Sequence, residues 1–147
     1  MSDIKLDIVT LESIIYSDNV QAILAPGIEG DLGILPNHTP LITTLRSGVL
    51  MIRKDGEELH LAVFGGFLEV RPNRVIVLAD AAERHEEIDR EQAEKARRQA
   101  EQRLSCKDTN LDMASAEAQL RQALVRLKVI EKNTKRKKHI PPFSIVD

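Results

Sequence analysis

The sequence has no tryptophan, one tyrosine and three phenylalanines. Its core must therefore be aliphatic, and it lacks the aromatic platforms on which single-stranded nucleic acid stacks. Cys106 is the only cysteine, which excludes an internal disulfide framework and any cysteine-rich zinc site. The formal net charge is −2, so the whole chain has no general attraction for nucleic acid or anionic lipid. No apolar run approaches the roughly 18 residues of a membrane span. The N-terminus, MSDIKLDIV, is acidic and alternating and does not read as a signal peptide. Glycine and proline are missing from Asn73 to Ile140, whereas all seven glycines lie between Gly27 and Gly66. A stretch without breakers favours helix, and a turn-rich stretch favours short strands.

What is present fits 147 residues, enough for one ordinary domain and a small appendage. The first half alternates on a period of two. Ile4-Lys5-Leu6-Asp7-Ile8 puts three apolar side chains on one face, and Glu58 to Val63 and Val49 to Arg53 are strand-like in the same way. Val20 to Ala25, Leu41 to Leu45 and Val75 to Ala79 are apolar runs of strand length. Turn signals fall between them at Pro26-Gly27, Pro36-Asn37, Ser47-Gly48, Asp55-Gly56 and Pro72-Asn73, with Asp55-Gly56 the best hairpin signal. Many short strands in one half predict an all-β sandwich or barrel.

The second half takes helical spacing. Ala93, Ala96, Ala100 and Leu104 form one stripe; Met113, Ala116, Leu120, Leu124 and Leu127 form another. Asp89 stands three residues before Gln92, a capping-box spacing, and Thr109 offers a weaker cap for the second helix. Two helices with a polar break between them predict an antiparallel hairpin. Its first seam is almost all alanine. At about 0.8 kcal/mol per buried carbon, such a seam packs closely and weakly. Charge divides as well. Residues 1–85 carry 7 basic and 12 acidic side chains, and residues 86–147 carry 14 and 11.

No catalytic constellation is present. Gly27 to Gly33 lacks the spacing of a dinucleotide loop and the Gly-Lys-Ser/Thr ending of a phosphate loop. The four histidines are scattered, none spaced as a helical zinc pair, so no metal site is expected. His38 reads as a loop residue rather than a base, and Cys106 as a plain thiol.

Two motifs are more specific. Gly30-Asp31-Leu32-Gly33-Ile34-Leu35-Pro36-Asn37-His38-Thr39-Pro40-Leu41 is followed by Phe64-Gly65-Gly66-Phe67-Leu68-Glu69-Val70, then Ala81-Ala82-Glu83-Arg84 and Ile88-Asp89. In this order and spacing, over about residues 3–132, the chain closely resembles the epsilon-subunit family of bacterial and chloroplast-type rotary ATP synthases. The resemblance implies a β + α fold: an N-terminal antiparallel β-sandwich of about ten strands in two sheets, then a C-terminal antiparallel two-helix hairpin. The expected parts are a sandwich over 1–86, a regulatory hairpin over 87–133 and a basic, proline-containing tail over 134–147.

The same resemblance implies a non-catalytic central-stalk subunit of a proton- or sodium-driven ATP synthase. The sandwich would join the gamma subunit to the c-ring through Glu29, Asp31, Leu32, His38 and Thr39. The hairpin would fold on the sandwich, or extend along gamma and hinder ATP hydrolysis. Opened into one helix from Asp89 to Lys138, it would reach about 75 Å. Its basic face, Arg121, Arg126, Lys128 and Lys132, would meet the alpha and beta subunits of the catalytic head. The expected location is peripheral, on the cytoplasmic face of a bacterial plasma membrane, with membrane association only through the complex.

Some members of this family bind ATP in the folded hairpin through an Ile/Leu-Asp-x-x-Arg-Ala motif, which makes nucleotide sensing the alternative function. Ile88, Asp89 and Ala93 match that motif, as do Glu83 and Arg126 around it. Gln92 stands in place of its arginine, and Gln99 and Gln122 stand where ATP-binding members carry arginine. Losing three cations removes much charge-assisted phosphate recognition, so ATP binding is expected to be weak and no cofactor is expected. A nucleic-acid adaptor is a third reading. Eight basic residues lie between Gln119 and Lys138 against Glu131 alone. The resemblance favours an acidic protein surface instead, so no nucleic-acid partner is expected. In the tail, Pro141-Pro142 forbids helix, and Phe143, Ile145 and Val146 would form a short apolar arm.

Overall fold

Alternation builds the first strand as expected: Ile4, Leu6 and Ile8 are buried while Lys5 faces solvent. The structure, a computed structural model, describes residues 3–106 and 110–139, except the side chains of 110–112 and 134–139. Eight strands are followed by a 3-10 turn and two helices. The strands are β1 (Ile4–Val9), β2 (Ile14–Val20), β3 (Ala22–Gly27), β4 (Gly30–Ile34), β5 (Leu41–Lys54), β6 (Glu57–Arg71), β7 (Arg74–Ala79) and β8 (Ala82–Arg84). The 3-10 turn is His85–Glu87, and the helices are α1 (Arg90–Cys106) and α2 (Asn110–His139). The weaker cap at Thr109 and the tail arm lie outside the described residues.

Strands precede two helices, as expected, but among the described residues eight strands form where about ten were expected. Ser47-Gly48 is not a turn: it lies inside the 14-residue β5. The two stretches Glu58–Val63 and Phe64–Val70 likewise run on as the 15-residue β6. The ladder order is β2-β1-β7-β6-β5-β3-β4, with β8 beside β6. The first half of β5 and the second half of β6 pair within one layer, where β7 extends the sheet. Their other halves belong to the opposite layer with β3 and β8. The two layers of the sandwich therefore share one continuous ladder that bends at Arg46 and Gly65. Gly65 and Gly66 have φ of 83° and 130°, and a Cβ at Gly66 would collide with the Leu78 carbonyl. Only glycine takes this bend without strain.

The pairing of β1 with β7 is parallel, unlike the other strand pairs. No hairpin joins these two strands, so no turn constrains their directions. Where two-residue turns do join strands, the direction follows from chemistry. Asp55 and Gly56 both have positive φ, and Lys54 pairs with Glu57. That is the primed turn the Asp-Gly signal predicts.

The main core lies between the layers and is aliphatic, from Ile4, Leu6 and Ile8 through Leu50 and Ile52 to Val75 and Val77. Phe64 belongs to a second, smaller cluster. Ala62 and Phe64 point out of the sandwich and meet Val125 and Val129 of α2, with Val49 and Ile88 beside them. The run His60 to Phe64 is consequently buried on both faces. The hairpin thus lies folded on the sandwich through α2, and α1 packs on α2.

The alanine seam is present. Ala93 and Ala100 on α1, and Ala116 and Ala123 on α2, are all buried, each pair seven residues apart. Arg103 Nη1 donates across it to Gln119 Oε1 at 2.8 Å. The leucine stripe needs one correction: Leu124 is 48% exposed. Helix α2 serves two neighbours, so alanines face α1 while Val125 and Val129 face the sheet, and Leu124 falls outside both contacts.

Candidate functional site

Asp89 places the start of the hairpin. Its Oδ1 accepts from the backbone N–H of Glu91 at 2.9 Å and of Gln92 at 3.3 Å, satisfying two orphan donors of α1. One turn earlier, Glu87 Oε1 accepts from the Arg84 N–H at 3.0 Å. These local bonds hold the crossing from β8 to α1 against the sheet.

They also form a cleft of about 280 Å³, lined by Glu83, Glu87, Ile88, Asp89, Gln92, Ala93, Ala96 and Arg126. The five residues singled out for nucleotide contact, Glu83, Ile88, Asp89, Ala93 and Arg126, are all here, and so is Gln92. Gln99 and Gln122 are exposed and do not line it. Arg126 reaches across to β8 and donates twice to Glu83, Nε to Oε1 at 2.8 Å and Nη2 to Oε2 at 2.9 Å. Its guanidinium also stands 4.9 Å from the Phe64 ring centroid. The Glu83 carboxylate holds the Arg126 guanidinium above its ordinary value, against the opposing effect of burial. A bidentate, stacked arginine fastens α2 to the sheet in one geometry.

The four cations assigned to a basic regulatory face do not share one. Arg121, Lys128 and Lys132 line a second groove, about 440 Å³, between α2 and the outer face of β3, β5 and β6. Arg126 lies in the first cleft. The reason is helical phase. At about 100° per residue, steps of seven and eleven return to one side, whereas a step of five lands roughly 140° away.

The residues assigned to the rotor divide as well. Glu29, Asp31 and Leu32 sit on the β3–β4 hairpin, where Gly27 pairs with Gly30. Glu29 and Asp31 are exposed, and Leu32 packs against the main core. Asp31 accepts from Arg46 at 2.5 Å and borders the second groove. His38 and Thr39 lie beyond the other end of the five-residue β4, about 16 Å away along the strand. His38 Nδ1 is 2.7 Å from the Thr39 carbonyl oxygen. That loop is tied to the β6–β7 turn by the Asn37 N–H, which donates to the Pro72 carbonyl at 2.6 Å.

Sequence reasoning missed an apolar row on the outer face of the other layer. Phe67 pairs with Leu78, Leu78 with Val9, and Val9 with Ile14. Phe67, Leu78 and Ile14 are 56%, 54% and 69% exposed. The signal was available in the alternation, since Gly66, Leu68 and Val70 point inward and leave Phe67 pointing out. No helix of the described residues is long and apolar enough to cross a membrane.

Comparison with known proteins agrees with this architecture. Residues 3–85 match the family described as ATP synthase, Delta/Epsilon chain, beta-sandwich domain. Residues 86–131 match ATP synthase, Delta/Epsilon chain, long alpha-helix domain. An ATP synthase epsilon chain of Dehalococcoides mccartyi is 52% identical over 136 residues, covering 92% of this chain and 97% of that one. The epsilon chain of Desulforamulus reducens is 46% identical over 127 residues, covering 86% and 96%. Among solved structures, a chain of the Euglena gracilis mitochondrial ATP synthase, in an assembly of OSCP, F1 and c-ring, superposes with a TM-score of 0.77. It shares 25% identity and is covered over 81% of its length, against 87% of this chain. With both domains matched in order and half the residues shared with bacterial relatives, the chain belongs to the epsilon-chain family of the ATP synthase.

Proposed function

We infer that this chain is the non-catalytic central-stalk subunit of an ion-driven rotary ATP synthase. Its sandwich joins gamma to the c-ring, and its hairpin restrains ATP hydrolysis when it leaves the sandwich. The subunit is peripheral and meets the membrane, on the cytoplasmic face of a bacterial cell, only through the complex. The observation that carries this reading is how lightly α2 is held. Where it meets the sheet, Val125 and Val129 pack on Ala62 and Phe64 with Val49 and Ile88 beside them, and Arg126 forks onto Glu83. An alanine seam holds α1 to α2. Contacts of this size are broken by modest competing interactions along a stalk.

The surfaces for the rotor are the β3–β4 tip with Glu29, Asp31 and Leu32, the loop with His38 and Thr39, and the apolar row at Phe67, Leu78 and Ile14. An exposed apolar row of this kind suits gamma, and the polar tips suit the polar loops of the c-ring. Released from the sandwich, Arg121, Lys128 and Lys132 present one side of α2 to the alpha and beta subunits, and Arg126 presents another. The test is truncation after Glu86. The shortened chain still binds gamma, and the enzyme assembled with it hydrolyses ATP faster than with the full chain. Unchanged hydrolysis would remove the inhibitory role, and loss of gamma binding would remove the two-part division.

Nucleotide sensing is the weaker reading for this chain. The cleft residues are together, but the Arg126 fork is already engaged by Glu83. Gln92 supplies no charge. ATP binding is accordingly weak.

A further inference from the structure

We propose that the groove between α2 and the outer sheet face binds a soluble amphipathic anion, a phosphate or carboxylate head on a short apolar body. Three observations meet there. Arg121, Lys128 and Lys132 turn toward the groove, and among the described residues none of them has an ion-pair partner. On the sheet side Arg46 adds a cation that Asp31 holds in place at 2.5 Å. Apolar side chains share the lining with them: Leu24 and Leu124, 38% and 48% exposed, both border the groove.

Charge and size select the ligand. Lys128 and Lys132 are one helical turn apart, roughly 6 Å, a spacing that brackets one phosphate or carboxylate. Glu58 also borders the groove, but it is engaged by Arg53 at 3.1 Å. Cations therefore outnumber carboxylates, and a neutral amphiphile would forgo the charge-assisted bonds. A volume of about 440 Å³ holds a ligand of metabolite size. The groove is walled by a helix on one side and a sheet on the other, so it admits a single molecule and not a bilayer surface. Its position is separate from the Glu83–Arg126 cleft, on the other side of α2. A bound anion bridges α2 to the sheet and holds the hairpin down.

The test uses the full chain and monomeric octyl phosphate, titrated by calorimetry at low salt. One saturable site is expected, weakened by added salt. Lys128→Gln with Lys132→Gln should lower affinity by roughly tenfold, and by no more than about thirtyfold, from two lost contacts of up to about 1 kcal/mol each. Both side chains are solvent-facing, so the fold should persist, as circular dichroism would verify. Hydrogen exchange in α2 around Leu124 to Val129 should slow severalfold on saturation. Four results would overturn the proposal: no saturable binding; equal binding of octyl glucoside, which would mean a bare apolar patch; competition by ATP, which would place the probe in the other cleft; or flotation with phosphatidic acid vesicles, which would mean a lipid surface.

Discussion

Arg126 joins three elements: α2 carries it, β8 supplies Glu83 and β6 supplies Phe64. Arg126→Met keeps the apolar stem over Phe64 but removes the fork. A hydrogen bond to a charged group contributes about 1.5–3 kcal/mol, so opening of α2 should become about tenfold more frequent or greater. Hydrogen-exchange mass spectrometry would show this as faster exchange in α2 with β1 and β7 unaltered. Gln92 allows the reverse experiment. Gln92→Arg adds a cation to the cleft and should tighten ATP binding by roughly ten- to a hundredfold, whereas calorimetry on the native chain should show no micromolar binding. A third residue-scale prediction concerns Asp18 and Lys54, which pair between β2 and the end of β5. The bond to Lys54 lowers the Asp18 carboxyl, and the same bond raises the Lys54 ammonium. The Asp18 contribution is complete above the ordinary carboxylate value and is lost as pH falls through the lowered one. The Lys54 contribution is complete below the ordinary lysine value and is lost as pH rises through the raised one. Asp18→Asn should lower the melting temperature at neutral pH, and the difference should fade as pH falls through the lowered Asp18 value.

At the scale of elements, α2 is the part whose sequence is hardest to read. Its stripe was legible because alanines and leucines recur at helical spacing, and Ala116 of that stripe is indeed buried, as is Ala123, which the stripe did not include. Val125 and Val129 were not legible as a second face, because a period identifies one side of a helix and says nothing of a second neighbour. Leu124 shows the same limit in reverse: it continues the stripe and yet remains exposed. Val129→Ala tests the second face. It removes two carbons from a fully buried side chain, about 1.6 kcal/mol at 0.8 per carbon. Exchange in α2 should rise while denaturant unfolding of the sandwich, followed by β-type circular dichroism, stays within error. A shift of the whole transition would instead mean that hairpin and sandwich unfold as one unit. The cap at Asp89 was read correctly from spacing, since a cap needs only residues within one turn.

For the whole molecule, the sandwich has a core of its own, from Ile4 to Ala79, to which no described residue of the hairpin contributes. A fragment ending at Glu86 should therefore fold and keep β-type circular dichroism. It should also be less soluble than the full chain, because removing α2 uncovers Ala62 and Phe64. Phe64→Ser in the fragment should restore solubility. Light scattering would decide this, and a fragment equally soluble with either residue would remove the smaller cluster from the account. By itself the sequence determined what local chemistry determines: the alternating strands, the Asp55-Gly56 turn, the capped helix, the alanine seam, and a family signature in contiguous motifs. Only the tertiary structure decided the rest. It ran two pairs of strand segments together into β5 and β6, set β1 parallel to β7, placed Arg126 on Glu83, and put Arg121, Lys128 and Lys132 on the opposite groove. Helical phase alone parts Arg126 from the other three cations, but what each side of α2 meets, like the strand pairings, depends on which residues distant in sequence come to face one another, and neither a period nor a turn signal carries that information.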